Sequence, residues 1–244
     1  MPPPTNFLTF FRTPWKDDFP RVPFATPLGS AEKHPDYMAA KSGDIDAAKR
    51  LVDDLVTDDC LGKVGIIMGI RQPVIVPVIA EEATGANRIP AAYAARIAKY
   101  FGLQVNPTIV QTVRAYHTNA SADHRLANHA AFDGEVDVGQ EYLIVDDTMT
   151  MGGTLAGLRG HIEAHGGQVI GATTLTGFNE SGQLALSEKM RHDLWNKHGV
   201  PLDEFLKQEF GFGIDSLTQG EAGHYRKALS IDAIRNRIAA ARLY

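Results

Sequence analysis

The chain is 244 residues long, 44% hydrophobic and 22% charged, with a formal net charge of -5 and a pI near 6.0. That length suffices for one sizeable α/β core with an accessory element, and the acidic balance argues against an electrostatic nucleic-acid surface. A single cysteine, Cys60, excludes an internal disulfide and a cysteine-built zinc site, and its neighbours Asp58 and Asp59 disfavour a thiolate. No apolar run approaches the ~18–20 residues of a membrane span, and Met1-Pro-Pro-Pro does not open a signal peptide. A cytoplasmic protein that engages neither nucleic acid nor membrane is expected.

Residues 1–43 are rich in proline and aromatics (Phe7, Phe10, Phe11, Trp15, Phe19, Phe24) and read as extended, irregular structure packed onto a core. Asp44 to Val56 has helical spacing of apolar residues, Val64 to Met68 reads as a short strand, and Val74 to Ala80 as a better one, with Pro77 at an edge or bulge. A loop from Glu81 to Pro90 leads into a helix from Ala91 to Phe101, with proline in the first turn and Gly102 at the C-cap. Pro107 to Ala115 is the next predicted strand. Residues 116–138 are a long polar segment, followed by strand 142–146, helix 153–165 and strand 169–176. Such alternation implies a parallel sheet with right-handed crossovers. Beyond Phe178, helices are predicted over 184–198, 202–210 and 228–243. The expected organisation is an N-terminal segment (1–60), a core (61–180) and a helical C-terminal extension (181–244).

The densest feature is Tyr142-Leu-Ile-Val-Asp146-Asp147-Thr148-Met149-Thr150-Met151-Gly152-Gly153-Thr154-Leu155. An apolar run ends in two carboxylates, then a hydroxyl- and glycine-rich turn opens onto a helix. Unpaired N–H groups at a helix start suit a phosphate, glycines let the main chain approach it, and Thr150 and Thr154 can add donors. Two acids beside an anion site need a ligand that also brings hydroxyls or a metal. A ribose 5-phosphate meets both demands.

This combination resembles the PRPP-binding motif of the type I phosphoribosyltransferases, in which two acidic residues precede a T-x-x-G-T-like loop (PRPP, 5-phosphoribosyl 1-pyrophosphate). The resemblance covers residues 60 to 178. It implies an α/β fold: a parallel-sheet type I phosphoribosyltransferase core with helices on both faces, plus a helical C-terminal appendage or hood. It implies an enzyme of nucleotide metabolism that transfers ribose 5-phosphate from PRPP to a nitrogenous base and releases pyrophosphate. Mg²⁺ would be bound mainly through PRPP, because magnesium retains waters and prefers substrate phosphates. PRPP and a base are the expected partners, with a homodimer left open.

Residue by residue, the resemblance assigns Asp146, Asp147, Thr148, Thr150, Met151, Gly152, Gly153 and Thr154 to the ribose phosphate. Glu82-Ala83-Thr84-Gly85 looks like the E-A-R-G of adenine-type enzymes, which places Thr84 and Gly85 at the pyrophosphate. Arg88 is the candidate cation for the leaving group. Residues 117–133 occupy the place of a mobile lid, where His124, Arg125 and His129 would stand in for the usual lysines; His124 and Arg125 join Arg88 as candidate catalytic groups. Arg114, at the end of the preceding strand, is a further binding candidate. Thr150 stands where 6-oxopurine enzymes carry aspartate, and Asp147 where uracil enzymes carry proline; orotate-, adenine- and competence-type relatives remain compatible. Phe178, Asn179 and the stretch 211–215 are candidates for the hood. A second expectation on the same fold is a non-catalytic PRPP or nucleotide sensor, and a third is a scaffold whose helical tail binds a partner.

Overall fold

A computed structural model describes residues 11–82, 85–112, 122–178 and 182–242. Its centre is a four-stranded parallel sheet in the order β1-β8-β7-β2, built from β1 (Phe24–Pro27), β2 (Val74–Pro77), β7 (Glu141–Thr148) and β8 (Gln168–Gly177). Along β7 the pleat sends successive side chains to opposite faces. Leu143 and Val145 therefore join one apolar cluster, and Tyr142 and Ile144 the other. The first cluster is covered by α2 (Ile45–Leu55), α3 (Asp58–Met68) and α4 (Ile89–Phe101), the second by α6 (Gly153–Ala164). Helices on both faces and all-parallel pairing were both legible in the alternation.

Local chemistry sets the helix ends. Asp44 accepts from the N–H groups of Asp46 and Ala47, both at 2.9 Å, and starts α2. Pro90 sits in the first turn of α4, and Gly102, left-handed at φ 71°, ends it. Where strand was expected at 64–68 the chain is helical. Thr57 caps the Cys60 N–H, two aspartates occupy the first turn, and Val64 and Met68 are buried one turn apart while Ile66 is exposed.

The predicted strand from Pro107 is largely absent from the described residues. Residues 104–111 follow β2 as an irregular edge: Ile75 N–H donates to the Gln104 carbonyl at 2.8 Å, and Gln111 N–H to that of Ile79 at 2.8 Å. Pro107 has no N–H for a ladder, and the Asn106 side chain captures the Thr108 N–H, so regular pairing stops there. Only β5 (Val110–Gln111) is strand, paired antiparallel with β6 (Phe132–Asp133).

The described part of the N-terminal segment is less irregular than expected. It contributes β1 to the sheet edge and α1 (Tyr37–Lys41) to the cover. Its Trp15 is buried, as foreseen for the aromatics. Arg159 of α6 is 2% exposed; it donates to the carbonyls of Thr13 (3.1 Å) and Pro14 (2.7 Å) and lies 4.1 Å from the Trp15 ring centroid.

The C-terminal helices are α7 (Glu188–Lys197), α8 (Gly199–Phe210), α9 (Gln219–Lys227) and α10 (Ile231–Ala241). They enclose a third cluster that includes Leu126 and Ala127 of α5 (Ala122–Ala127). Helix α9 was not predicted, although Thr218-Gln-Gly-Glu221 spells a capping box that the structure forms. No helix among the described residues is long and apolar enough to cross a membrane.

Candidate functional site

The turn from Asp146 to Thr154 lies at the carboxyl end of β7, where open α/β sheets place ligands. The two acids stand close enough to interact, but their other surroundings differ. Asp146 is 7% exposed, and its Oδ1 accepts the Asp147 N–H at 2.8 Å. Burial, reinforced by the neighbouring Asp147 charge, pushes its carboxyl well above the usual range and favours the neutral acid. Asp147 Oδ2 accepts from Lys41 Nζ at 3.0 Å and Asn87 Nδ2 at 2.8 Å, while no N–H among the described residues donates to Oδ1.

The hydroxyl and glycine positions are largely employed by the protein itself. Thr148 Oγ1 pairs with Thr176 Oγ1 across β7 and β8 at 2.8 Å. Thr150 Oγ1 accepts from Arg125 Nη1 at 2.6 Å, and the Met151 carbonyl accepts from Thr218 Oγ1 at 2.6 Å. Gly152, left-handed at φ 81°, caps α6 beneath Leu184, which a β-carbon there would strike. The Gly153 carbonyl accepts from Arg12 Nη2 at 3.1 Å. The Thr154 hydroxyl and the N–H groups of Gly153, Thr154 and Leu155 make no hydrogen bond among the described residues. They form the donor-rich part of the turn.

One anion already stands beside this turn. Glu221 Oε1 lies 2.8 Å from where a Gly153 β-carbon would be. The carboxylate is held by Arg12 (Nη2 to Oε1 2.9 Å, Nη1 to Oε2 3.1 Å) and by the Thr218 N–H at 2.9 Å. Burial raises its pKa, but Arg12, His129 and the Thr218 N–H together outweigh burial and leave the carboxyl below its usual range.

The other expected residues divide. Arg125 reaches the turn through Thr150, whereas His124 is half-buried on the same helix. Gly85, in the hairpin of β3 (Glu81–Glu82) and β4 (Gly85–Ala86), lets the chain lie on the Ser42 carbonyl, 2.6 Å from where its β-carbon would be. Arg88 is exposed at the start of α4; its neighbour Asn87 makes the contact to the acid pair. Thr84, Arg114, His117 and Asn179 lie outside the described residues.

The described part of the expected lid, residues 122–133, packs partly against the C-terminal helices. Leu126, Ala127, His129 and Phe132 are buried, and His129 meets the rings of Phe210 (4.6 Å) and Phe212 (5.1 Å). Phe212 and Ile214, in the stretch considered for a hood, are likewise core. Sequence reasoning missed Lys41, Asn87, Arg12, Thr218 and Glu221. Only the last two carried a local signal, the capping box.

No protein-family model matches the chain. It is 50% identical over 231 residues to Protein TraN of Escherichia coli, a match covering 95% of this chain and 51% of that protein. It is 43% identical over 151 residues to an uncharacterized protein of Haemophilus influenzae, covering 62% of this chain and 34% of that protein. The chain thus spans about half the length, or less, of the curated relatives it matches. Among solved structures, it is similar to the crystal structure of an adenine phosphoribosyltransferase from Thermoanaerobacter pseudethanolicus at 17% identity and a TM-score of 0.33. That match covers 55% of this chain and 82% of the other, and a likeness so slight carries no argument about function.

These findings correct the transferase expectation. The relative matching 95% of the chain is named Protein TraN, not a phosphoribosyltransferase or an enzyme of nucleotide metabolism. The geometry agrees with the correction. Arg88 is exposed, and Leu126, Ala127, His129 and Phe132 of the expected lid are buried.

Proposed function

We propose that this chain is a non-enzymatic binding module whose β7–α6 turn receives a small phosphorylated, hydroxyl-bearing ligand of the sugar-phosphate class. The observation that carries the reading is the adjacency of two unspent groups. The first-turn N–H groups of α6 and the Thr154 hydroxyl supply donors for a phosphate, and Asp147 Oδ1 supplies an acceptor for a ligand hydroxyl. Thr150, Met151, Gly152 and Gly153 shape the turn, and Asp146 and Thr148 support it from below. Gly85, Arg88 and His124 are its candidate periphery among the described residues. The finer likeness to a phosphoribosyltransferase core belongs to this proposal and rests on residues 142–155 alone.

No cluster of three or more His, Cys, Asp or Glu that could hold a metal occurs among the described residues. Asp147 Oδ2 is moreover committed to Lys41 and Asn87. Any Mg²⁺ in this reading would arrive on the ligand's phosphates. A cytoplasmic location, where such ligands occur, is part of the same reading, as is a ligand that is neither nucleic acid nor lipid.

Isothermal titration with ribose 5-phosphate, PRPP and inorganic phosphate, each with and without MgCl₂, tests it. Saturable binding of the two sugar phosphates is expected, weakened about tenfold, or about 1.4 kcal/mol, by Asp147→Asn or Thr154→Ala. Absence of heat and of thermal stabilisation with every probe refutes it. A second reading, the turn as a purely structural junction, is favoured by Leu184, Thr218 and Glu221 closing over residues 151–153. It predicts that negative result.

A further inference from the structure

Two carboxylates before an anion-binding turn pose an electrostatic problem, since each repels the phosphate the turn attracts. The structure deals with them separately. Asp146 is buried at the strand end, away from solvent, with one oxygen on the Asp147 N–H. Asp147 meets an ammonium that comes from 106 residues earlier in the chain.

Lys41 closes α1, and Asn87 stands just before α4. Their two segments are tied together by the Arg88 N–H donating to the Ala40 carbonyl at 3.1 Å and by Gly85 seated on Ser42. The two donors therefore arrive as a unit, and both land on the same oxygen, Oδ2, at 3.0 and 2.8 Å. The ion pair is neither free in solvent nor sealed, with side chains 14% and 13% exposed. Asp146 is 7% exposed, whereas Asp147 is 13% exposed and no N–H among the described residues donates to its Oδ1, which makes Oδ1 the better placed to meet a ligand from outside.

We propose that Lys41 is a positioning residue for this site: it offsets the Asp147 charge and, with Asn87, fixes the carboxylate so that Oδ1 accepts a hydroxyl of a phosphorylated polyol. The inference rests on the reading of the turn as a sugar-phosphate site and refines it. One acid supports and the other contacts. The Lys41 ammonium offsets the Asp147 charge beside the turn, which helps an anion approach a strand end that the sequence alone makes look hostile. Asn87 contributes orientation without charge, so its loss costs less.

Titration calorimetry of the full chain with ribose 5-phosphate and MgCl₂ tests this in wild type, Lys41→Met, Lys41→Arg and Asn87→Ala, with melting curves alongside. Lys41→Met should weaken binding about tenfold, Asn87→Ala about threefold, and Lys41→Arg should stay within about threefold of wild type. A residue that merely packs would not be rescued by arginine. Unchanged affinity in Lys41→Met, or Lys41→Arg as weak as Lys41→Met with wild-type melting, overturns the inference while leaving the site intact. Should wild type itself show no binding, the site reading falls and this inference with it.

Discussion

The Arg12–Glu221 pair makes a quantitative claim about what fastens the C-terminal helices to the sheet. Both side chains are 1% exposed, and the guanidinium meets the carboxylate at 2.9 and 3.1 Å while also reaching the Gly153 carbonyl and His129. At 2.9 Å and an effective dielectric near 20, the gross attraction is about 6 kcal/mol, much of it offset by desolvation. Deleting one partner leaves the other charge stranded, so Arg12→Ala or Glu221→Ala should each cost about 3–5 kcal/mol. For a chain of this size that corresponds to a melting temperature lower by roughly 6–20 °C. Arg12→Met/Glu221→Leu removes both charges and should cost far less than the sum of the single losses, leaving chiefly the α9 cap to account for, about 0.5–2 kcal/mol. The pH dependence has a definite sign. The Glu221 carboxyl is depressed in the fold, so the pair's contribution is complete above the unfolded carboxylate range and disappears as pH falls through the folded value. Urea titrations of the four proteins at pH 7 and in mild acid measure all of this. Single variants losing under about 1 kcal/mol, or strictly additive losses, would refute the reasoning.

Asp146 should behave in the opposite sense. Its carboxyl is pushed up by burial and by Asp147, so ionising it opposes folding; the penalty is absent below the ordinary carboxylate range and grows as pH rises toward the folded value. Asp146→Asn keeps an oxygen for the Asp147 N–H and should melt several degrees above wild type near pH 7, with the advantage vanishing in acid. A variant that melts lower at pH 7 and level in acid would show that Asp146 is held as an anion. Gly152→Ala should destabilise by about 2–4 kcal/mol, combining left-handed backbone strain with overpacking against Leu184. Adding Leu184→Ala should relieve only the steric share. A change within about 0.5 kcal/mol in a urea titration would mean that the turn adopts another shape.

Period and punctuation made the central elements legible. Residues 142–146 and 169–176 read as strands because apolar runs bounded by turn residues say so, and the β7–α6 turn was located residue by residue. Short-range ambiguity defeated the reading at 64–68, where five apolar-rich residues fit either state until Thr57 and the two aspartates are weighed as a helix start. It failed again at 107–109, where the Asn106-Pro107 pair outvotes the β-branched residues that follow. The packing of the expected lid was illegible for a different reason. Residues 122–133 look polar along the chain, but α8 and α10 bury one side of them, and such cover has no local signature. The same limit explains Lys41 and Asn87. Their service to Asp147 arises from tertiary placement, which no spacing rule encodes.

The place of β1 has a consequence for how the molecule comes into being. Phe24–Pro27 finds its ladder partner only in β8, so the sheet's edge cannot close until the chain has been made through about residue 177. The carbonyls of Thr13 and Pro14 wait just as long for Arg159, contacts that span 146 and 145 residues. Made before its partners, this stretch settles only after them, and its loop-closure entropy falls due late in folding. Shortening the chain from its far end should therefore release the near end first, well before the α2–α4 layer feels the loss.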